Sequence, residues 1–129
     1  MNKHVVSREI LYALSSPGGM SNRTAERIRA GVVTDNSQSM KRFIEDYILP
    51  AVVGEETRKP GFKETLKYAL WYYLHKQPWD PDALFERQEP LIYLPDPPLK
   101  YYQWVWELLF AGQENQMPPI DDDHFVVVR

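Results

Sequence analysis

Cysteine is absent from the sequence, and its absence removes several classes of protein from consideration. Structural disulfides, a thiol nucleophile, and zinc or iron–sulfur sites built on thiolates are all excluded. Long hydrophobic runs are absent too, since the longest, Tyr101–Ala111, contains Gln103 and Glu107 and is far shorter than the ~20 residues that cross a bilayer. Arg8 and Glu9 interrupt the first apolar run, so it cannot serve as the core of a signal peptide. We therefore expect a cytoplasmic protein.

Patterns that carry catalysis are missing as well. General acid–base and nucleophilic catalysis need two groups side by side, whereas the histidines, His4, His75 and His124, are scattered along the chain. The glycine pair Gly18–Gly19 lacks the lysine of a phosphate-binding loop. The run Asp121–Asp123 with His124 offers metal ligands but lacks the glycine and distal glutamate of a calcium loop. We expect no enzyme activity, no cofactor and no metal site; a hydrolase-like enzyme with an unseen site is a third hypothesis.

Apolar and aromatic residues in helical patterns are what the sequence does have. With 129 residues, of which 43% are hydrophobic, the chain fits one domain that buries about two-thirds of the surface its unfolded form exposes. Apolar residues recur at three- and four-residue spacing between glycine and proline stops. This pattern predicts an all-α fold, a compact bundle of five to six helices over residues 1–112. A linker and a short extended C-terminal segment, residues 113–129, are expected to follow.

The predicted helices differ in how clearly they begin and end. In chain order they lie near residues 5–14, 22–31, 38–52, 60–76, 81–87 and 97–111. Pro50 lacks an N–H group, so the third helix is expected to end or kink near Leu49, before a charged loop over Gly54–Lys59. The last helix has Lys100, Gln103 and Glu107 in one narrow polar strip, which predicts a central, buried helix. The tail Phe125–Arg129 suits a strand, whose partner is left open.

The charge of the chain is unevenly distributed. Residues 1–76 hold 12 Lys+Arg and 8 Asp+Glu, whereas residues 77–129 hold 3 and 10. The first three helices resemble a helix-turn-helix unit in general layout. The connection from Gly31 to Ser37 is longer than the turn of that motif, and the acidic Glu45 and Asp46 lie on the helix that would contact DNA. A helical nucleic-acid-binding regulator is therefore the alternative function, using Arg23, Arg27, Arg29, Lys41 and Arg42.

Aromatic residues are concentrated in the second half, with 13 of 17 between Phe62 and Phe110. Tryptophan and tyrosine bury large areas while keeping a polar group, and they dominate interface hot spots. The fourth helix carries a second aromatic stripe beside its core-facing one, and acidic residues follow it. We therefore predict an acidic, aromatic protein-binding surface of Tyr68, Trp71, Tyr72, His75, Asp80, Asp82, Glu86 and Tyr101.

The function predicted from the sequence is that of a non-enzymatic protein-binding module, such as a small inhibitor, immunity or adaptor-type protein. Its acidic surface suits a basic protein partner, with charge governing encounter and the aromatic residues governing lifetime. Within the core, Leu70, Tyr73, Trp104 and Leu108 are the expected buried members of the two aromatic helices. The identity of the partner and the oligomeric state stay open.

Overall fold

The computed structural model describes residues 3–12, 14, 22–33, 35–79, 95, 97 and 99–128. The predicted short helix over 81–87 lies outside the described residues. The described part is mainly helical, as the sequence predicted. Its elements, in chain order, are β1 (His4–Val6), α1 (Arg8–Tyr12), α2 (Asn22–Gly31), α3 (Ser37–Phe43), a π-helical turn (Ile44–Ile48), α4 (Leu49–Arg58), α5 (Phe62–Lys76), α6 (Leu99–Phe110), a 3-10 turn (Glu114–Gln116) and β2 (Phe125–Val127).

The two ends of the described chain meet in a two-stranded parallel sheet, here called the terminal ribbon. His4 pairs with Phe125 and Val6 with Val127, and the His4 N–H donates to the His124 carbonyl at 2.8 Å. The prediction that Val6 belongs to the first helix is therefore wrong. Its β-branched side chain favours extended backbone, and the valine-rich tail supplies the hydrogen bonds that a helix would otherwise provide.

A long helix runs from α3 through the π-helical turn into α4. Of the two outcomes predicted near Leu49, an ending or a kink, the ending is wrong. The expected loop over Gly54–Lys59 is wrong as well, since α4 runs to Arg58. The turn is wider than an α-helix because the Leu49 N–H donates to the Ile44 carbonyl, five residues back. Pro50 explains this shift: its ring has no N–H to donate and would clash with the carbonyl four residues back in a regular α-helix. One turn of the helix therefore holds an extra residue, and the helix continues into α4.

The core lies between α5, α6, the long helix and the ribbon. Its largest fully buried side chains include Tyr73, Tyr101, Tyr102, Phe43 and Phe110. Burying a side chain of this size stabilises the fold by roughly 2–3 kcal/mol before chain entropy is counted.

The polar strip predicted on α6 is confirmed, since Lys100, Gln103 and Glu107 are exposed. Trp104 and Leu108 are only half-buried, because Trp106 holds the inward position against Phe110.

Candidate functional site

Two residues of the second aromatic stripe of α5, Tyr68 and Tyr72, pack against the terminal ribbon. The Tyr68 ring stacks on the His4 ring with their centroids 3.5 Å apart and their planes 7° from parallel. Tyr72 meets Phe125 at a centroid distance of 5.1 Å. Both tyrosines are therefore packing residues of this chain, and their rings are half-buried against it.

The other end of the stripe packs on α6. The Trp71 ring lies 5.2 Å from that of Trp106 and 4.2 Å from the His75 imidazole. His75 is exposed, and its Nδ1 lies 2.8 Å from the Trp71 carbonyl, which is the arrangement of a capping histidine in a last helical turn. Among the described residues, the buried Nε1 of Trp71 has no hydrogen-bond partner.

Tyr101 was expected at the rim of the binding surface, and that expectation is wrong. Its side chain is fully buried and its hydroxyl donates to the Leu14 carbonyl. Burial raises the pKa of the Tyr101 hydroxyl far above its usual range. The physical reason is the position of α6, which turns Tyr101 inward with Tyr102 and Val105. The acidic members of the predicted surface, Asp80, Asp82 and Glu86, lie outside the described residues.

The His4 imidazole, which stacks on Tyr68, has a pKa below its usual value. Burial lowers the pKa of His4, which nearby Glu64 partly offsets and which His124 and Lys67 reinforce. A histidine whose pKa falls on folding binds protons more readily in the unfolded chain, so its contribution to stability is lost as pH falls below its usual value of about 6.5.

We expect the free energy of unfolding to decrease between pH 7.5 and pH 5.5, and to decrease less in His4→Phe, which keeps a stacking ring but cannot titrate. Urea denaturation at several pH values measures this. His75→Gln, which removes an exposed histidine, is the control and should retain the wild-type dependence. An unchanged pH dependence in His4→Phe would show that His4 does not govern it.

An open groove lies elsewhere among the described residues, between α2 and the long helix. This α2–α3 groove has a volume of about 770 Å³. Residues of α2, of the connection and of the long helix line it: Arg27, Ile28, Gly31, Val32, Val33, Asn36, Gln38, Ser39, Lys41, Arg42, Phe43, Glu45, Asp46 and Tyr47.

The groove exists because α2 offers little apolar surface. Among its described side chains, Ile28 is the buried one, while Arg23 and Arg27 are exposed. With one buried side chain among those described, α2 leaves open space beside the long helix. The floor of that space is apolar, since Ile28 and Phe43 are buried and the Tyr47 ring lies 5.5 Å from that of Phe43.

Hydrogen bonds fix the rim of the groove at the connection between α2 and α3. The Val33 N–H donates to the Ser39 hydroxyl at 2.9 Å, and the Asn36 side chain accepts from the Ser39 N–H at 2.9 Å, capping α3. The Asn36 N–H donates to the Val33 carbonyl at 3.1 Å. Val33 is thereby held with 60% of its surface exposed. It forms a preorganised apolar projection beside the apolar floor.

The charges of the groove are of both signs. Lys41 is engaged, since its Nζ lies 3.0 Å from a carboxylate oxygen of Glu107 on α6. Arg27, Arg42, Glu45 and Asp46 are exposed.

Of the five basic residues predicted to contact nucleic acid, Arg27, Lys41 and Arg42 line this groove. Arg23 does not line it, and the side chain of Arg29 lies outside the described part of the structure. Sequence reasoning missed Val33 and Tyr47. Pro50 gave a signal for the latter, because a proline inside a helical pattern marks a distorted turn, and π-helical turns occur frequently at functional sites.

Over the residues that the structure describes, no three metal-ligating side chains come together. His124 and Asp121, from the acidic run of the tail, contact each other at 2.6 Å. In the same described ranges, no helix is both long enough and apolar enough to span a membrane.

Comparison with known proteins adds no assignment: no family model matches the chain, and no curated protein or solved structure matches it significantly.

Proposed function

We propose that this protein is a non-enzymatic binding module that takes a protein segment in its α2–α3 groove. The observation that carries the proposal is the pairing of an apolar floor with a hydrogen-bonded, charged rim. Stable protein interfaces have this anatomy, with a hydrophobic centre and a polar, solvated edge. The proposal keeps the protein-binding function expected from the sequence and moves its site from α5 to the groove. An adaptor or inhibitor role is compatible with such a site.

The bound segment is best described as an amphipathic helix. The groove lies between two helices, whose main-chain groups are already engaged in their own hydrogen bonds. Strand addition needs an exposed sheet edge, so it has no place here. Recognition must come from side chains, and an apolar stripe at helical spacing is the form that fills a groove between helices. Val33 and Tyr47 are the expected contacts at its centre.

Nucleic-acid binding is the alternative function, because Arg27, Lys41 and Arg42 line the groove. Phosphate contacts supply most of the affinity of such proteins, and carboxylates in the same site oppose them. Glu45 and Asp46 line the groove, and Lys41 is already paired with Glu107. These carboxylates favour a protein segment over a phosphate backbone.

The test uses a phage-displayed library of amphipathic helical peptides selected on the wild-type protein. We expect Val33→Asp to raise the Kd of the selected peptides about tenfold or more, because an unpaired carboxylate is placed against the apolar stripe. Val53→Asp is a matched control: Val53 has 58% of its surface exposed, lies on α4 and does not line the groove. It should leave the Kd unchanged.

Two results would overturn the proposal. One is that Val33→Asp and Val53→Asp affect the selected peptides equally. The other is that a 20-base-pair DNA duplex binds with steep salt dependence and loses affinity when Arg27 and Arg42 are replaced by alanine. Fluorescence anisotropy measures the Kd of the labelled peptides and of the labelled duplex.

A further inference from the structure

Apart from Lys41, the charged side chains of the α2–α3 groove make no ion pair within the described residues. Arg42 lies three and four residues before Glu45 and Asp46, a spacing at which helical residues of opposite charge usually pair. Yet within the described residues Arg42 makes no ion pair with either one. The π-helical turn begins at Ile44, and its wider winding changes the relative directions of side chains on its two sides. The long helix thus presents both signs without neutralising them.

A partner that covers the groove removes water from these charged side chains, which weakens binding unless the partner supplies opposite charges. A charge that loses its water without gaining an opposite charge destabilises a complex, and like charges brought together repel. An all-acidic segment would pair with Arg27 and Arg42 but meet Glu45 and Asp46. An all-basic segment would pair with Glu45 and Asp46 but be repelled by Arg27 and Arg42. The groove therefore discriminates against both through repulsion as well as attraction.

We infer that the groove, if it binds a protein segment as proposed above, selects an amphipathic helix with an acidic and a basic side chain flanking its apolar stripe. The acidic side chain pairs with the arginines, Arg27 and Arg42, and the basic one with Glu45 and Asp46. Lys41 contributes little to this choice, since Glu107 already occupies it. The expected partner is therefore of mixed charge, and not the basic protein expected from the sequence.

The experiment is a second peptide library with a fixed apolar stripe and flanking positions randomised among glutamate, lysine and glutamine. It is selected on the wild-type protein, on Arg27→Gln/Arg42→Gln and on Glu45→Gln/Asp46→Asn. Wild type should enrich both glutamate and lysine, at different flanking positions. The arginine double variant should lose the glutamate preference alone, and the acidic double variant the lysine preference alone. A peptide selected on wild type should bind each double variant about tenfold more weakly, the loss of two exposed ion pairs.

The control is Arg23→Gln/Glu26→Gln, which removes one charge of each sign from α2 outside the groove lining. It should enrich the same flanking residues as wild type. The inference is overturned if wild type enriches only glutamate, only lysine or neither, while binding still depends on Val33. If no selected peptide depends on Val33, the proposed function itself fails, so the two failures are distinguishable.

Discussion

Replacing Phe125 with alanine is expected to lower the free energy of unfolding by about 3–4 kcal/mol, the usual cost of truncating a buried phenylalanine. Only 3% of the Phe125 surface is exposed, and its ring contacts those of Tyr72 and His4. The substitution opens a cavity where β2 closes over α5. Urea denaturation followed by circular dichroism measures the loss.

Val126→Ala is the matched control for Phe125→Ala. Val126 is the next residue of the same strand but faces outward, with 41% of its surface exposed. Its truncation should change stability by less than about 0.5 kcal/mol, as is usual for surface positions. Equal effects of the two substitutions would mean that the tail does not pack on α5 and that the ribbon contributes little to the fold.

Tyr101→Ala is expected to cost about 4 kcal/mol, because it removes a buried ring and leaves a cavity. Tyr101→Phe isolates one part of that cost: it keeps the ring but leaves the buried Leu14 carbonyl without its donor, for about 1–3 kcal/mol. Thermal and urea denaturation of both variants measure the two contributions.

Gln103→Ala serves as the control for the Tyr101 variants, since Gln103 lies two residues away on the exposed strip of α6. Its stability should stay within about 0.5 kcal/mol of wild type. A stable Tyr101→Ala protein would contradict the buried position and restore this residue to the protein-binding surface predicted from the sequence.

Phe125→Ala and Tyr101→Ala also distinguish a core role from a binding role for these aromatic residues. Side chains that pack within the chain lower stability when truncated, whereas interface side chains lower affinity and leave the fold intact. Phe125 and Tyr101 belong to the first kind by their burial. The proposed function places Val33 in the second kind, and its side chain is exposed beside a hydrogen-bonded connection.

Helical periodicity was enough to predict much of the fold. The core-facing row of α5 follows directly from residue spacing, because a helix turns 100° per residue wherever it lies in a protein. On α6 the same reasoning placed Trp104 and Leu108 in the core, where they are only half-buried. The polar strip of Lys100, Gln103 and Glu107 is exposed as predicted. The same reasoning left open whether the second stripe of α5 is core or interface, because periodicity shows that a face is aromatic but not what covers it.

What the sequence by itself determined is therefore local: the helical elements, the buried centre and the cysteine-free chemistry of the chain. Only the tertiary structure decided three further points. The pairing of His4–Val6 with Phe125–Val127 joins residues about 120 positions apart, and no local spacing encodes such a contact. Pro50 produced a widened turn instead of a break, because the helix on either side is held by packing. The α2–α3 groove arises from how α2 rests on its neighbour, which depends on surfaces that only the assembled fold brings together.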